Sequence, residues 1–182
     1  RISSPHAQYP YLLKVKVTPA AVPPPQGFSL GSILTDAEYH HATGKLAVCT
    51  KVPNQLLLYD TYTWESDTIP LDKTPACISI SEDGHRAVIG YTVASVAYID
   101  LDALAITAEY NIGCIPYDIV LGGNGWCYIT PLEDQWEVMH NLDLNTGQVT
   151  TGSNLTVIYE ETQIKKVPGK SFMVGSRTTL SP

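Results

Sequence analysis

The stretch "TPLEDQWE" gathers Glu133, Asp134 and Trp136 within four positions. An aromatic platform beside two carboxylates suits a sugar ring or a cation, because the indole offers a π-face and the acids offer acceptors. A solvated loop with Trp136 covering a neighbouring sheet accounts for the same residues. Tyr91 in "GYTVAS" and Tyr117 in "CIPYDIV" belong to the same expected face and join these three as ligand-binding candidates. The stretches "SILTDAEY", "ACISIS", "YDIVL" and "TQIKKV" offer three further carboxylates, Asp36, Glu38 and Asp118. No catalytic residue is assigned: the chain has no G-x-S-x-G elbow, no phosphate-binding glycine loop and no H-E-x-x-H pair.

Metal and cofactor chemistry finds little footing. None of the five histidines has Cys, Asp or Glu at ligand spacing, and His40 and His41, adjacent on a strand, point to opposite faces. Glu160 and Glu161 diverge in the same way. Cys49, Cys77, Cys114 and Cys127 contain no C-x-x-C pair. They read as small buried apolar side chains, although an even number permits two disulfides. No metal site and no cofactor are expected. Asn154, Leu155 and Thr156 form a glycosylation sequon, which matters only in a eukaryotic secretory protein.

The chain of 182 residues carries 11 Lys plus Arg against 18 Asp plus Glu, a formal charge of -7, with no basic stripe. A phosphate backbone would not be neutralised, so nucleic acid is excluded as a partner. No apolar run reaches the roughly 18 residues a membrane-spanning helix needs.

The elements that must position these residues come from a repeat. "GKLAVC", "GHRAVIG", "GWCYIT" and "GKSFMVG" begin at Gly44, Gly84, Gly125 and Gly169, at intervals of 40, 41 and 44 residues. Around Gly84 the sequence parses into four short strands: "ACISI", "RAVIG", "VAYID" and "ITAEY", with "SEDG" as the first hairpin turn. Asp60, Asp100 and Asp143 fall 16, 16 and 18 residues after their glycines, which predicts a carboxylate capping the turn between third and fourth strands. Four antiparallel strands in a unit of 40 to 45 residues is the period of a β-propeller blade. Helical solenoids would need an apolar period of 3.6, which no repeat shows.

"TPACISISEDGHRAVIGYTVASVAYIDLDALAITAEYNIG" resembles the YVTN-type propeller repeat, and "DLNTG" is similar to repeats of quinoprotein propellers. The resemblance implies an all-β fold of blades and a surface of loops, but no reaction. WD40 repeats fit less well, since the Trp-Asp dipeptide is absent.

The expected organisation is an all-β partial propeller over residues 27–182, with blades at about 33–71, 74–113, 115–153 and an incomplete 155–182. About three and a half blades do not close a ring, so the remaining blades are expected from the same parent chain. Residues 1–26 read as the end of a preceding β-domain and a Pro-rich linker, or alternatively as a strand of the last blade. The expected function is a noncatalytic module presenting loops to a protein or glycan, in an extracytoplasmic or cell-surface multidomain protein. The alternatives are a lactonase-like hydrolase or lyase, whose axial site other blades complete, and a cytoplasmic scaffold.

Overall fold

The computed structural model describes residues 31–132, 137–152, 157–158, 161–167, 169–170 and 172–177. The expectations for residues 1–26, the boundary at residue 27 and the sequon at 154–156 lie outside the described residues. No described helix is long and apolar enough to cross a membrane.

The first sheet orders β1 (Ile33–His40), β2 (Lys45–Lys51), β3 (Gln55–Asp60) and β4 (Ser66–Pro70) as an antiparallel meander. The second repeats it with β5 (Pro75–Ile80), β6 (Arg86–Tyr91), β7 (Ser95–Asp100) and β8 (Ala105–Asn111). In the third, β9 (Pro116–Leu121) and β10 (Trp126–Pro131) are followed by a short β11 (Glu137–Val138), then β12 (His140–Asp143) and β13 (Val149–Thr151). The sheet is β9-β10-β12-β13, while β11 leaves it to pair with β14 (Val157–Ile158). The expected third strand "VMHNLD" is therefore split at Met139, in the repeat whose segment between second and third strands is the longest. β15 (Thr162–Lys166) and β16 (Met173–Arg177) form the described part of the fourth sheet.

The hairpins close as their glycines predict. Gly44, Gly84, Gly125 and Gly169 have φ of +65°, +77°, +80° and +67°, a region open to glycine at no steric cost. The third turns close on aspartate. Asp60 Oδ1 accepts from the amides of Tyr62 and Thr63, Asp100 Oδ1 from those of Asp102 and Ala103, and Asp143 Oδ1 from that of Asn145. Those amide bonds, led by Ala103 for Asp100 and Asn145 for Asp143, hold both carboxyls below their ordinary range.

Sheets stack face to face because their middle strands are apolar on both sides. Along β6, Ala87, Ile89 and Tyr91 join a cluster with Leu56, Leu58 and Ile69 of the first sheet. Val88, on the opposite face, joins Ile119, Leu121, Ile129 and Leu142 of the third. The outermost β8 alternates exposed and half-buried residues, as a strand on the rim must. The described residues thus form successive blades around an axis lined by β1, β5, β9 and β15.

Candidate functional site

Each inner strand is the edge of its own sheet, so every second main-chain amide faces away from the sheet and needs another partner. Side chains of β1 supply them to β5. Asp36 Oδ2 accepts from the Ile78 amide at 2.9 Å, and Glu38 Oε2 accepts from the Ile80 amide at 2.8 Å. His40 Nε2 lies 2.9 Å from the Glu82 carbonyl and donates to it. Its Nδ1 accepts from the Thr43 amide at 3.4 Å, which fixes the Nε2–H tautomer. All three pairs are 42 residues apart, and positions 36, 38 and 40 share one face by strand alternation.

The other inner strands carry only parts of this rail. Asp118 Oδ2 accepts from the Ile164 amide at 2.9 Å, and its Oδ1 accepts from its own Ile119 amide. Lys166 Nζ reaches back to donate to the Ile80 carbonyl at 2.7 Å. In the columns of Asp36, Glu38 and His40, blade 2 has Cys77, Ser79 and Ser81, and blade 3 has Asp118, Val120 and Gly122. Ser81 cannot take the place of His40: its hydroxyl donates to Asp83 Oδ1 at 2.5 Å and accepts from the Arg86 amide, both within its own hairpin.

Burial raises the carboxyls of Asp36 and Glu38 above their ordinary range, against the lowering effect of the Ile78 and Ile80 amides. It also pushes up the thiols of Cys49, Cys77 and Cys127, so they stay protonated. These three are buried, unbridged thiols.

Where the inner strands begin, a cavity of about 200 Å³ is lined by Thr35, Asp36, Cys77, Tyr117, Asp118 and Lys165. The Lys165 ammonium lies 3.4 Å from Asp118 Oδ1. Tyr117, half-buried, lies at this cavity together with two of the carboxylates singled out in the sequence, Asp36 and Asp118. Tyr91 is wholly buried: Lys73 sits 5.0 Å from its ring centroid and its hydroxyl donates to Glu109 at 3.4 Å. Glu133, Asp134 and Trp136 lie outside the described residues.

At the hairpin ends two cavities, of about 420 and 520 Å³, share Glu82, Gly122 and Gly123 and form one groove across blades 2 to 4. One arm runs past Tyr128 to Lys166, Lys170 and Phe172, and the other reaches Asp83 and Arg86. The groove opens where the rail is incomplete. His40 closes the equivalent space between blades 1 and 2, packed so tightly that a Cβ on Gly84 would lie 2.6 Å from its ring. The two glycines of the groove differ. A Cβ on Gly122 would lie 2.6 Å from Asn124 Oδ1, whose side chain folds back to donate to the Tyr128 hydroxyl. A Cβ on Gly123 would meet only Glu82 Oε2, at 3.6 Å, and its φ is not positive, so nothing in the backbone demands glycine there.

The rail and the groove were both missed by comparing loops between repeats. Aligning the inner strands instead puts Asp36, Cys77 and Asp118 in one column and shows the small residues of blades 2 and 3.

No family model and no curated protein matches the sequence. Among solved structures, Kuenenia stuttgartiensis hydrazine synthase is 13% identical with a TM-score of 0.68, over 86% of this chain and 47% of that one. The Cps50 (Swd1) β-propeller domain of Myceliophteria thermophila is 15% identical with a TM-score of 0.57, over 66% of this chain and 38% of that one. The chain thus spans less than half the length of the solved chains it resembles. The likeness is one of fold, and the blades described here form part of a β-propeller.

Proposed function

We propose that the chain is a noncatalytic propeller module that binds a protein or a glycan at the ends of its blades, in a larger multidomain protein outside the cytoplasm. The observation that carries this reading is the use made of the axial acids: Asp36, Glu38 and Asp118 all accept main-chain amides of the next blade. Their lone pairs are directed at structure. The accessible concave surface is instead the mixed apolar and charged groove at the hairpins. Among the sequence candidates, Tyr117 supplies an aromatic face at the opposite end, and Glu133, Asp134 and Trp136 belong to the loops proposed to present ligand there.

One observation favours the competing reading, an axial hydrolase or lyase: Tyr117, Asp118 and Lys165 meet at one small cavity. Arrays of glycans and of peptides, probed with the purified chain and with Gly123→Trp and Asp118→Asn, separate the two. The binding reading expects retained ligands that Gly123→Trp or loop substitutions remove. Turnover of ester, lactone or uronide substrates that Asp118→Asn abolishes would replace it with the enzyme.

A further inference from the structure

We infer that the hairpin-end groove binds an extended acidic peptide, one carboxylate of which accepts from the Leu121 amide and so supplies the rung that blade 2 does not offer to blade 3. This deepens the binding-module reading and rests on it.

Glu38 satisfies the Ile80 amide, and His40 the Glu82 carbonyl, by reaching from β1 to the end of β5 and the hairpin beyond it. One blade on, the corresponding main-chain groups are the Leu121 amide and the Gly123 carbonyl, both on residues that line the groove, and of the two only the amide can donate to a carboxylate. The side chains in the reaching positions are Ser79 and Ser81, each too short by two bonds, and Ser81 is turned into its own hairpin. Strand alternation explains why Leu121 matters: Gly122 donates its amide to Trp126 within the sheet, so the odd-numbered amides of β9 face the axis. A carboxylate entering from solvent meets there what Glu38 meets at Ile80, an amide donor at a strand edge.

Charge and shape agree. Lys166 gives one N–H to the Ile80 carbonyl and keeps two, and Lys170 is exposed beside it. In a chain of net charge -7 these two ammonium groups at one wall are a local exception. Phe172, 57% exposed, and Met173 give the same wall an apolar floor. Glu82 stands where the two arms meet and Asp83 lies in the other arm, so the acidic part of the peptide lies toward Lys166 and Lys170.

The test uses two labelled hexapeptides, acetyl-Asp-Leu-Asp-Leu-Asp-Phe and its Asn counterpart, followed by fluorescence anisotropy against the whole chain. A charge-assisted hydrogen bond distinguishes them, so the acidic peptide should bind about tenfold more tightly, with the advantage shrinking at high salt. Gly123→Trp fills the groove at a position with room for a side chain, and Lys170→Glu reverses an exposed charge. Each should lower affinity for the acidic peptide by about tenfold or more while leaving the circular dichroism unchanged. Equal affinity for both peptides, lost in Gly123→Trp, overturns the carboxylate rung and leaves the groove as a binding site. Affinity unmoved by both substitutions, or no binding of either peptide, overturns the inference altogether, and the arrays then decide the module reading on their own.

Discussion

Blades 1 and 2 are pinned together beside the axis, whereas blades 2 and 3 are pinned at the rim. Both seams contain an apolar cluster, and packing of that kind brings sheets together without fixing their register. Between blades 1 and 2 the register is set by Asp36, Glu38 and His40, each meeting the main chain 42 residues on. Between blades 2 and 3 the directional contacts lie further out: the Tyr110 hydroxyl donates to the Leu144 carbonyl at 2.7 Å, and His140 Nδ1 donates to the Ile112 carbonyl at 3.0 Å. The difference teaches that the directional bonds of a seam can sit at either radius, and that beyond blade 2, where the axial pins are missing, the groove opens.

The most severe way to break the comparison is to remove what the seams share. Ile129→Ala, at a fully buried position of the second cluster, should cost about 3–4 kcal/mol by loss of burial and a residual cavity, read as a lower urea midpoint. A cost below 1 kcal/mol would mean that the rim bonds alone hold blade 3. Removing the axial pin comes next. Asp36→Ala leaves the Ile78 and Ala37 amides without their acceptor and should cost about 2 kcal/mol, with Asp36→Asn recovering about half. Native-state hydrogen exchange should speed up at Ile78 but not at Leu121. Tyr110→Phe removes the rim bond and should cost about 1 kcal/mol. Its exchange effect should appear at the blade 2–3 seam, and a spread into β1 would count against separate pins.

The smallest effect is in pH. Burial raises the carboxyls of Asp36 and Glu38 in the folded chain, so the folded state holds protons that the unfolded state has released. Stability contributed by this pair therefore falls as pH rises from the ordinary carboxylate range through the raised values, and is level above them. Urea midpoints of the wild type, measured against Asp36→Asn with Glu38→Gln, should show that slope, since the turn aspartates are common to both chains. A slope of the opposite sign would mean the amide bonds outweigh burial.

Much of this architecture was legible in the sequence because its signals are local. A glycine at each first hairpin and an aspartate at each third turn act within a few residues, and both do in the fold what their spacing predicts. The rail was not legible, because its partners are main-chain atoms 42 or 46 residues away and no side chain at Ile78, Ile80 or Ile164 advertises the contact. Tyr91 shows the converse. Its loop neighbours suggested an exposed ring, but its strand parity turns it inward with Ala87 and Ile89. The splitting of "VMHNLD" at Met139 was hidden for a third reason, since it depends on β14, which is remote in sequence.

Because Asp36 and Glu38 grip peptide groups, the strand they hold is under no obligation to keep any particular side chains on their account. Ile78 and Ile80 are free to drift among residues that suit the apolar cluster, and the grip survives every such change. The directional part of the instruction for how one blade seats its successor is therefore written on the earlier blade, so a changed successor need only keep an apolar face and the room that Gly84 leaves for His40.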